Sequence, residues 1–258
     1  MPKDEGKMIK IVSILSSLDD KIELNRQTNQ TLEAIAQALF KEWFVDFNFP
    51  GATGEMQDSE LGEIPKEWRV YKIGELVDSV SITHKFPKGK AIFLNTSDIE
   101  EGKILHNNYS GKDGLPGQAK KSIKKLDILF TEIRPANKRY ALVDFEADDF
   151  VVSTKLMVLR SISEIHPIVI YNFLTSYETL KELQHLAESR SGTFPQITFA
   201  HVKNLKIMLP GKELLNKYVD LAWSIFKQIK NNEEQTKSLI KLRDTLLPKL
   251  MTGEININ

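Results

Sequence analysis

The stretch that decides the fold reads MIKIVSILSSLDDKIELNRQTNQTLEAIAQALFKEWFVDF and occupies residues 8–47. It contains neither proline nor glycine, the two residues that most disfavour a helix interior. Ten of its residues alternate spacings of four and three: Ile11, Leu15, Leu18, Ile22, Asn25, Asn29, Leu32, Ala36, Leu39 and Trp43. That spacing places them in one narrow stripe, which is typical of a coiled-coil seam. At about 1.5 Å per residue such a helix is roughly 55–60 Å long and needs a partner to bury the stripe.

The C-terminal segment repeats this helix. Adding 207 to the residue number aligns Leu18 with Ile225, Ile22 with Ile229, Asn25 with Asn232, Leu32 with Leu239, Ile35 with Leu242 and Leu39 with Leu246. Any two amphipathic helices align to some extent, but a seam asparagine is costly and sets register, so the shared asparagine favours a duplication.

We predict that the two helices pair antiparallel, because the first leads into the central block and the second leads out of it. In a symmetric register Asn29 faces Asn232 and Asn25 faces Thr236, which forms a polar layer midway along the coil. The predicted interface residues are Leu18, Ile22, Asn25, Asn29, Leu32, Leu39, Ile225, Ile229, Asn232, Leu239, Leu242 and Leu246.

The composition is that of an ordinary globular protein, with 258 residues, 41% hydrophobic and 27% charged. The chain has no cysteine, so it has no disulfide framework and no thiol nucleophile, which fits a reducing cytoplasm. No apolar run approaches the roughly 18 residues needed to span a membrane, and no signal-peptide core is present at the N-terminus. We therefore expect a cytoplasmic protein with no membrane partner.

The sequence divides into four segments. We predict a first helix at 8–47, a Gly/Pro-rich linker at 48–57, a globular block at 58–210 and a second helix at 211–251. In the block, YALVDFEADDFVVSTKLMVLR predicts strands paired around an acidic turn, and HPIVIYNFLTSYETLKELQHLAES predicts one helix after Pro167. The predicted fold class is therefore α+β, with one mixed α/β block flanked by two long helices in an antiparallel coiled coil.

No motif indicates catalysis. The chain has no glycine-rich nucleotide loop, no P-loop and no Pro-Pro pair of the kind that DNA-amino methyltransferases use. The nearest approach to a metal-dependent nuclease motif is Asp127 with Glu132-Ile133-Arg134, which lacks the lysine. The five histidines lack metal-ligand spacing. We predict that the chain has no catalytic residue, cofactor or metal, and that it is a binding protein and not an enzyme.

Two loops are candidates for reading DNA: Arg134-Pro-Ala-Asn-Lys-Arg-Tyr140 and Arg190-Ser-Gly-Thr-Phe-Pro-Gln196. Arginine can bind guanine bidentately, and asparagine or glutamine can do the same with adenine. Residues 81–140 also carry twelve lysines and arginines against six aspartates and glutamates. Such an excess can follow a phosphate backbone or form a solvated surface, and the loops can equally be ordinary exposed loops. The predicted DNA-binding residues are Lys85, Lys88, Lys90, Arg134, Asn137, Lys138, Arg139, Tyr140, Arg190, Thr193 and Gln196.

Residues 16–47 closely resemble the conserved helix of type I restriction–modification specificity subunits. The segments LGEIPKEW, LNTSDIEEGKI, KLDILFTEIRP, VVSTKLMVLR and NLKIMLP are similar to the landmarks of that family as well. Its usual member alternates two target-recognition domains with two helices, so this chain resembles a half-length form with a single recognition domain. It departs from the family pattern at LPGKELLNKYVDLA, where the family usually has an acidic approach to the second helix.

The resemblance implies a non-catalytic DNA-specificity subunit in a defence system. Its recognition domain would read one half of a bipartite site in double-stranded DNA. Its helices would space the half-sites and dock the methyltransferase subunits, which are joined by a restriction/translocase subunit. A single recognition domain implies a homodimer on an interrupted palindrome. The alternatives are a coiled-coil scaffold without DNA readout, or a nuclease with a non-standard site.

Overall fold

The computed structural model describes residues 5–190, 193–252 and 254–255, without the side chains of residues 5 and 190. The chain divides into two compact units. The first joins Met1–Lys41 to Asp220–Asn258, and the second is Glu42–Val219. We refer to them as the coil unit and the recognition block.

The described chain is a mixture of helices and strands, which confirms the predicted α+β class. The helices are α1 (Glu5–Phe44), α2 (Ile73–Leu76), α3 (Pro167–Thr175), α4 (Tyr177–Arg190), α5 (Phe199–Val202) and α6 (Lys212–Thr252). The strands are β1 (Met56–Ser59), β2 (Gly62–Pro65), β3 (Arg69–Lys72), β4 (Val77–Ser79), β5 (Lys90–Leu94), β6 (Ile99–Glu100), β7 (Lys103–Ile104), β8 (Tyr109–Gly111), β9 (Ala119–Ser122), β10 (Ile128–Thr131), β11 (Tyr140–Leu142), β12 (Phe150–Ser153), β13 (Leu156–Ser161) and β14 (Lys206–Leu209). None of the helices in this part of the chain is long and apolar enough to cross a membrane.

Helix α1 begins and ends three residues earlier than the pattern predicts, at Glu5 and Phe44. Its C-terminal end is set by Phe47, which adopts a left-handed conformation with φ of 57°. The backbone N–H of Asn48 then donates to the carbonyl of Glu42 at 2.7 Å, which closes the end of the helix. Residues 45–47 therefore form a turn instead of a last helical turn.

The coil unit contains the predicted polar layer. Asn232 donates through Nδ2 to Oδ1 of Asn29 at 2.8 Å, and Asn25 donates through Nδ2 to Oγ1 of Thr236 at 3.3 Å. All three asparagines are buried. The layer therefore has the antiparallel register that the symmetric alignment of the two helices predicts.

One predicted interface residue lies outside the seam. Leu242 is 46% exposed. The four–three spacing of α6 passes instead through Leu239, Arg243 and Leu246, each of which is partly buried. The offset of 207 aligns Leu242 with Ile35, and Ile35 is itself exposed because it too lies off the stripe.

Two four-stranded sheets form the centre of the recognition block. One has the order β11-β10-β13-β4 and is antiparallel, and the other has the order β8-β5-β12-β9, in which β5 and β12 run parallel. The predicted pairing of strands around the acidic turn is wrong, because β11 pairs with β10 while β12 belongs to the second sheet. The chain between them crosses from one sheet to the other, and their buried faces share one apolar core.

The helix predicted after Pro167 is two helices. Ser176 takes an extended conformation between α3 and α4. Its hydroxyl donates to the carbonyl of Phe173 at 2.9 Å and accepts from the N–H of Thr179 at 3.4 Å. Ser176 thus gives a hydrogen-bond partner to a carbonyl at the end of α3 and to an N–H at the start of α4. It ends the first helix and caps the second.

An aromatic cluster lies where the chain enters and leaves the recognition block. The ring of Phe44 packs edge-on against Trp68 at 5.6 Å and against Tyr218 at 4.7 Å between centroids. Tyr218 accepts a hydrogen bond from Asn172 Nδ2 at 2.7 Å, and burial raises the pKa of its hydroxyl. Phe44, in the last turn of α1, is therefore a core residue of the recognition block.

Candidate nucleic-acid interface

The two loops that the sequence singles out lie side by side. The N–H of Arg134 donates to the carbonyl of Pro195 at 3.1 Å. A further β-bridge joins Ile133 to Gln196, and the N–H of Ile197 donates to the carbonyl of Glu132 at 2.9 Å. We call residues 134–138 together with residues 193–196 the loop surface.

The first half of the loop surface is a tight 3₁₀ turn, Pro135–Asn137, between two left-handed residues. Arg134 has φ of 45° and Lys138 has φ of 54°. Non-glycine residues in this region each cost about 1–3 kcal/mol and are held there only when their surroundings fix them. The N–H of Asn137 donates to the carbonyl of Arg134 at 2.8 Å, which closes the turn. Such strained residues cluster at functional sites.

Five of the predicted DNA-binding residues are exposed on the loop surface: Arg134, Asn137, Lys138, Thr193 and Gln196. Lys138 Nζ lies 3.0 Å from Oε1 of Glu101, and both side chains are about half exposed. An exposed pair of this kind contributes at most about 1 kcal/mol, so it does not prevent Lys138 from exchanging its partner for another anion.

The structure corrects the assignment of Tyr140 and Arg139. Tyr140 is 7% exposed, and its ring stacks on Phe130 at 6.1 Å, so it is a core residue that cannot stack on a base. The guanidinium of Arg139 donates to the carbonyl of Ile99 at 3.0 Å and also lies 3.4 Å from Glu100. It therefore holds the β6–β7 hairpin. Both residues lie where β11 begins, and the pairing of that strand with β10 fixes their directions.

The three predicted lysines belong to a different sheet from the loop surface. Lys85, Lys88 and Lys90 are exposed in and beside the segment that leads into β5. Lys88 Nζ lies 2.8 Å from Oδ2 of Asp149, and the hydroxyl of Tyr109 donates to the same oxygen at 2.7 Å. These hydrogen bonds raise the pKa of Lys88 and lower the pKa of Asp149. The side chain of Arg190, the remaining predicted residue, lies outside the described residues.

Asp127, the nearest approach to a nuclease acid, has a structural role. Its carboxylate is fully buried and accepts from Nε and Nη2 of Arg160 at 2.8 and 2.7 Å. It also accepts from the N–H of Lys124 at 2.8 Å. The hydrogen bond to Asp127 raises the pKa of Arg160. Within the described ranges, no group of three or more His, Cys, Asp or Glu residues could hold a metal ion.

Sequence reasoning missed the contribution of helix α4 to the loop surface. A groove of about 450 Å³ lies between α4 and the 3₁₀ turn, and its lining includes Ala136, Tyr177, Lys181 and His185. Lys181 and His185 are one helical turn apart, so they share a face, and Tyr177 is exposed one turn earlier. The spacing of four residues between Tyr177, Lys181 and His185 is evident in the sequence. It does not indicate which loop this face of α4 adjoins.

Comparisons with known proteins agree with this architecture. The family model for the type I restriction modification DNA specificity domain matches residues 65–242. The type I restriction enzyme HindI specificity subunit of Haemophilus influenzae is 40% identical over 182 residues, which cover 70% of this chain and 40% of that subunit. The MjaIX specificity subunit of Methanocaldococcus jannaschii is 29% identical over 260 residues, which cover 96% of this chain and 58% of that subunit. The chain thus spans about half the length of these relatives.

A solved structure supports the same fold. The crystal structure of the type-I restriction-modification system S subunit from M. genitalium matches with a TM-score of 0.62 at 14% identity, over 96% of this chain and 61% of that one. At that identity the match supports the fold alone. Because the family model covers more than half of its residues, the chain belongs to the type I restriction modification DNA specificity domain family.

Proposed function

We propose that the recognition block reads one half of a bipartite site in double-stranded DNA, within a type I restriction–modification complex. One observation carries this proposal: backbone hydrogen bonds join the two loops, so that Arg134, Asn137 and Gln196 are exposed on one surface. These are the side chains that make bidentate contacts to guanine and adenine in the major groove. Lys138 adds a cation that can take up a phosphate, which positions a protein on DNA without reading its sequence.

The coil unit would then act as a spacer. Helix α1 has 40 residues and is therefore about 60 Å long. The chain leaves the coil unit after Lys41 and returns to it at Asp220. In two copies whose coils lie side by side and antiparallel, the points where each chain joins its recognition block would be about 60 Å apart. That distance is shorter than two turns of DNA, which measure about 70 Å. Such a homodimer would read an interrupted palindrome.

The coil unit would also dock the methyltransferase subunits. Ile35 and Leu242 are both exposed although they are apolar, and so are Ile14 and Leu221. Each pair is related by the offset of 207 that relates the two helices. The coil unit therefore exposes a large aliphatic side chain at equivalent positions of both helices. Two copies of one partner could bind to these equivalent positions. A restriction/translocase subunit would join this assembly, and the methyl-transfer chemistry would belong to the methyltransferase subunits, since this chain would be non-catalytic.

The proposal is tested with the full chain reconstituted with its methyltransferase subunits and a library of random-sequence duplexes. We expect selection of a bipartite motif. Arg134→Ala should reduce the discrimination against wrong bases at one position of the motif by about 1–3 kcal/mol. Lys138→Ala should weaken binding to all sequences alike and reduce the slope of the logarithm of affinity against the logarithm of salt concentration by about one. Lys237→Ala, on the exposed surface of α6, is the matched control and should change neither.

The two alternatives predict different results. A coiled-coil scaffold without DNA readout would select no sequence even with the methyltransferase subunits present, and Arg134→Ala would change nothing. A nuclease would cleave duplex DNA as the isolated chain in the presence of Mg²⁺. Either result would overturn the specificity role.

A further inference from the structure

The turn that presents Arg134 lacks a local N-cap. The first N–H groups of any helical turn need acceptors, which Ser, Thr, Asp or Asn usually supplies from the cap position. Here the cap position is held by Arg134, whose side chain carries only donors, and no side-chain cap bond is formed there. The next residue, Pro135, has no N–H. Ala136 therefore carries the first backbone donor of the turn, and its acceptor must come from elsewhere.

Gln184 of helix α4 supplies that acceptor. Its Oε1 accepts from the N–H of Ala136 at 3.0 Å, while its Nε2 donates to Oε1 of Glu188 at 2.7 Å. The orientation of the amide is fixed by these two partners, because the opposite orientation would bring the amide NH₂ against an N–H and the amide oxygen against a carboxylate. Glu188, one turn further along α4, thus holds the cap in place.

We propose that Gln184 is a positioning residue for DNA recognition, which caps the turn so that Arg134 and Asn137 keep one arrangement toward the bases. This inference rests on the proposed function. The other end of the turn is held separately, since the N–H of Glu101 donates to the carbonyl of Lys138 at 2.9 Å. Loss of the cap therefore leaves the end that carries Arg134 with its backbone hydrogen bond to Pro195 but without the contact to α4, while the other end keeps its bond to Glu101.

A cap supplied from another element leaves the cap position open to a residue that reads DNA. A serine or aspartate there would stabilise the turn but could not grip guanine with two donors. In this structure Gln184 caps the turn, and Arg134 is therefore available to contact a base.

The variants are Gln184→Ala, which removes the acceptor, and the exchange Gln184→Glu with Glu188→Gln. The exchange keeps an acceptor toward Ala136 and a donor at position 188. Glu182→Ala is the matched control, because Glu182 is an exposed residue of the same helix. All variants are made in the full chain and reconstituted with the methyltransferase subunits.

Two measurements are needed. Hydrogen exchange of the segment 134–139 reports the cap directly, and we expect it to be about fivefold faster in Gln184→Ala, the size of a typical cap effect. Selection from a random duplex library reports recognition. We expect discrimination to fall about five- to tenfold at the base positions that Arg134→Ala also relaxes. Affinity for non-specific duplex should stay at the wild-type value, the thermal midpoint should fall by no more than about 4 °C, and the exchanged pair should restore discrimination.

Three outcomes overturn the inference. They are unchanged discrimination in Gln184→Ala, an equal loss of discrimination in Glu182→Ala, and a loss spread over all base positions together with a thermal midpoint lowered by more than about 4 °C. The last would mark Gln184 as merely structural. If the wild type itself selects no sequence, the proposed function fails and this inference fails with it. If the wild type selects a motif that Gln184→Ala preserves, the inference alone fails.

Discussion

The buried asparagine layer of the coil unit gives a quantitative test of its register. Asn232 donates to Oδ1 of Asn29 at 2.8 Å, and Asn29 donates through Nδ2 to the carbonyl of Ile229 at 3.1 Å. Gln228 donates to Oδ1 of Asn232 at 2.9 Å. Both asparagines are 6% exposed, so water cannot replace a lost partner at low cost.

The expected free energies follow from that geometry. Asn232→Leu leaves Oδ1 of Asn29 buried without its donor, which costs about 1–3 kcal/mol and is only partly offset by the added apolar burial. The double variant Asn29→Leu with Asn232→Leu removes both partners, so it should be close to neutral or stabilising. Because the double variant is close to neutral, the coupling energy should approach the sum of the two single losses and be at least about 1–3 kcal/mol. At about 2–4 °C per kcal/mol, the single variant should melt about 2–12 °C lower than the wild type.

The assay is urea unfolding of the wild type, both single variants and the double variant, followed by circular dichroism. If the double variant loses as much stability as the two single variants together, the asparagines do not interact and the register is wrong. Because the chain has no cysteine, a disulfide between Asn25→Cys and Thr236→Cys checks the register independently. It should form readily, whereas Asn25→Cys with the exposed Ser238→Cys should not.

Three further predictions concern single features. Asp127→Ala removes the carboxylate that pairs with Arg160; because the Arg160 side chain is partly exposed, the loss should cost about 1.5–3 kcal/mol in urea unfolding, and a wild-type midpoint would contradict the structural role of this pair. Burial lowers the pKa of His84 below its ordinary value of 6.5. As the pH falls, the imidazole is therefore protonated at a higher pH in the unfolded state than in the folded state. The free energy of unfolding should then fall as the pH drops below about 6.5, and a variant His84→Phe with the same pH slope would refute this assignment. Ile35→Ser with Leu242→Ser should change stability by no more than about 0.5 kcal/mol per site and yet abolish co-purification of the methyltransferase subunits; undiminished co-purification would rule out docking there.

The coil register could be predicted from the sequence because a strict four–three spacing fixes which residues share a seam. Asn29 and Asn232 mark the layer, and only an antiparallel pairing brings them together in one chain. The offset between the two helices is a weaker guide than the spacing itself. The offset places Leu242 in the seam through its match with Ile35, although neither residue lies on the stripe.

The loop surface could be predicted only in part. The residue types in both loops indicated recognition chemistry, but the bond between Arg134 and Pro195 joins residues far apart in sequence, and no local pattern specifies it. All three residues of β11 are buried, so Tyr140 is buried because this strand is covered on both faces. A three-residue strand of this kind has no alternation in its sequence that would indicate its burial. The role of Gln184 follows from the position of α4 beside the turn, which periodicity alone does not give.

The central claim is tested most directly by mapping methylated bases in the genome of cells that carry this chain with its methyltransferase subunits. We predict a motif in two short parts separated by an unread spacer of constant length, with the position read by Arg134 relaxed in cells that carry Arg134→Ala. A continuous motif, or a bipartite motif that both Arg134→Ala and Gln196→Ala leave unchanged, would contradict the account.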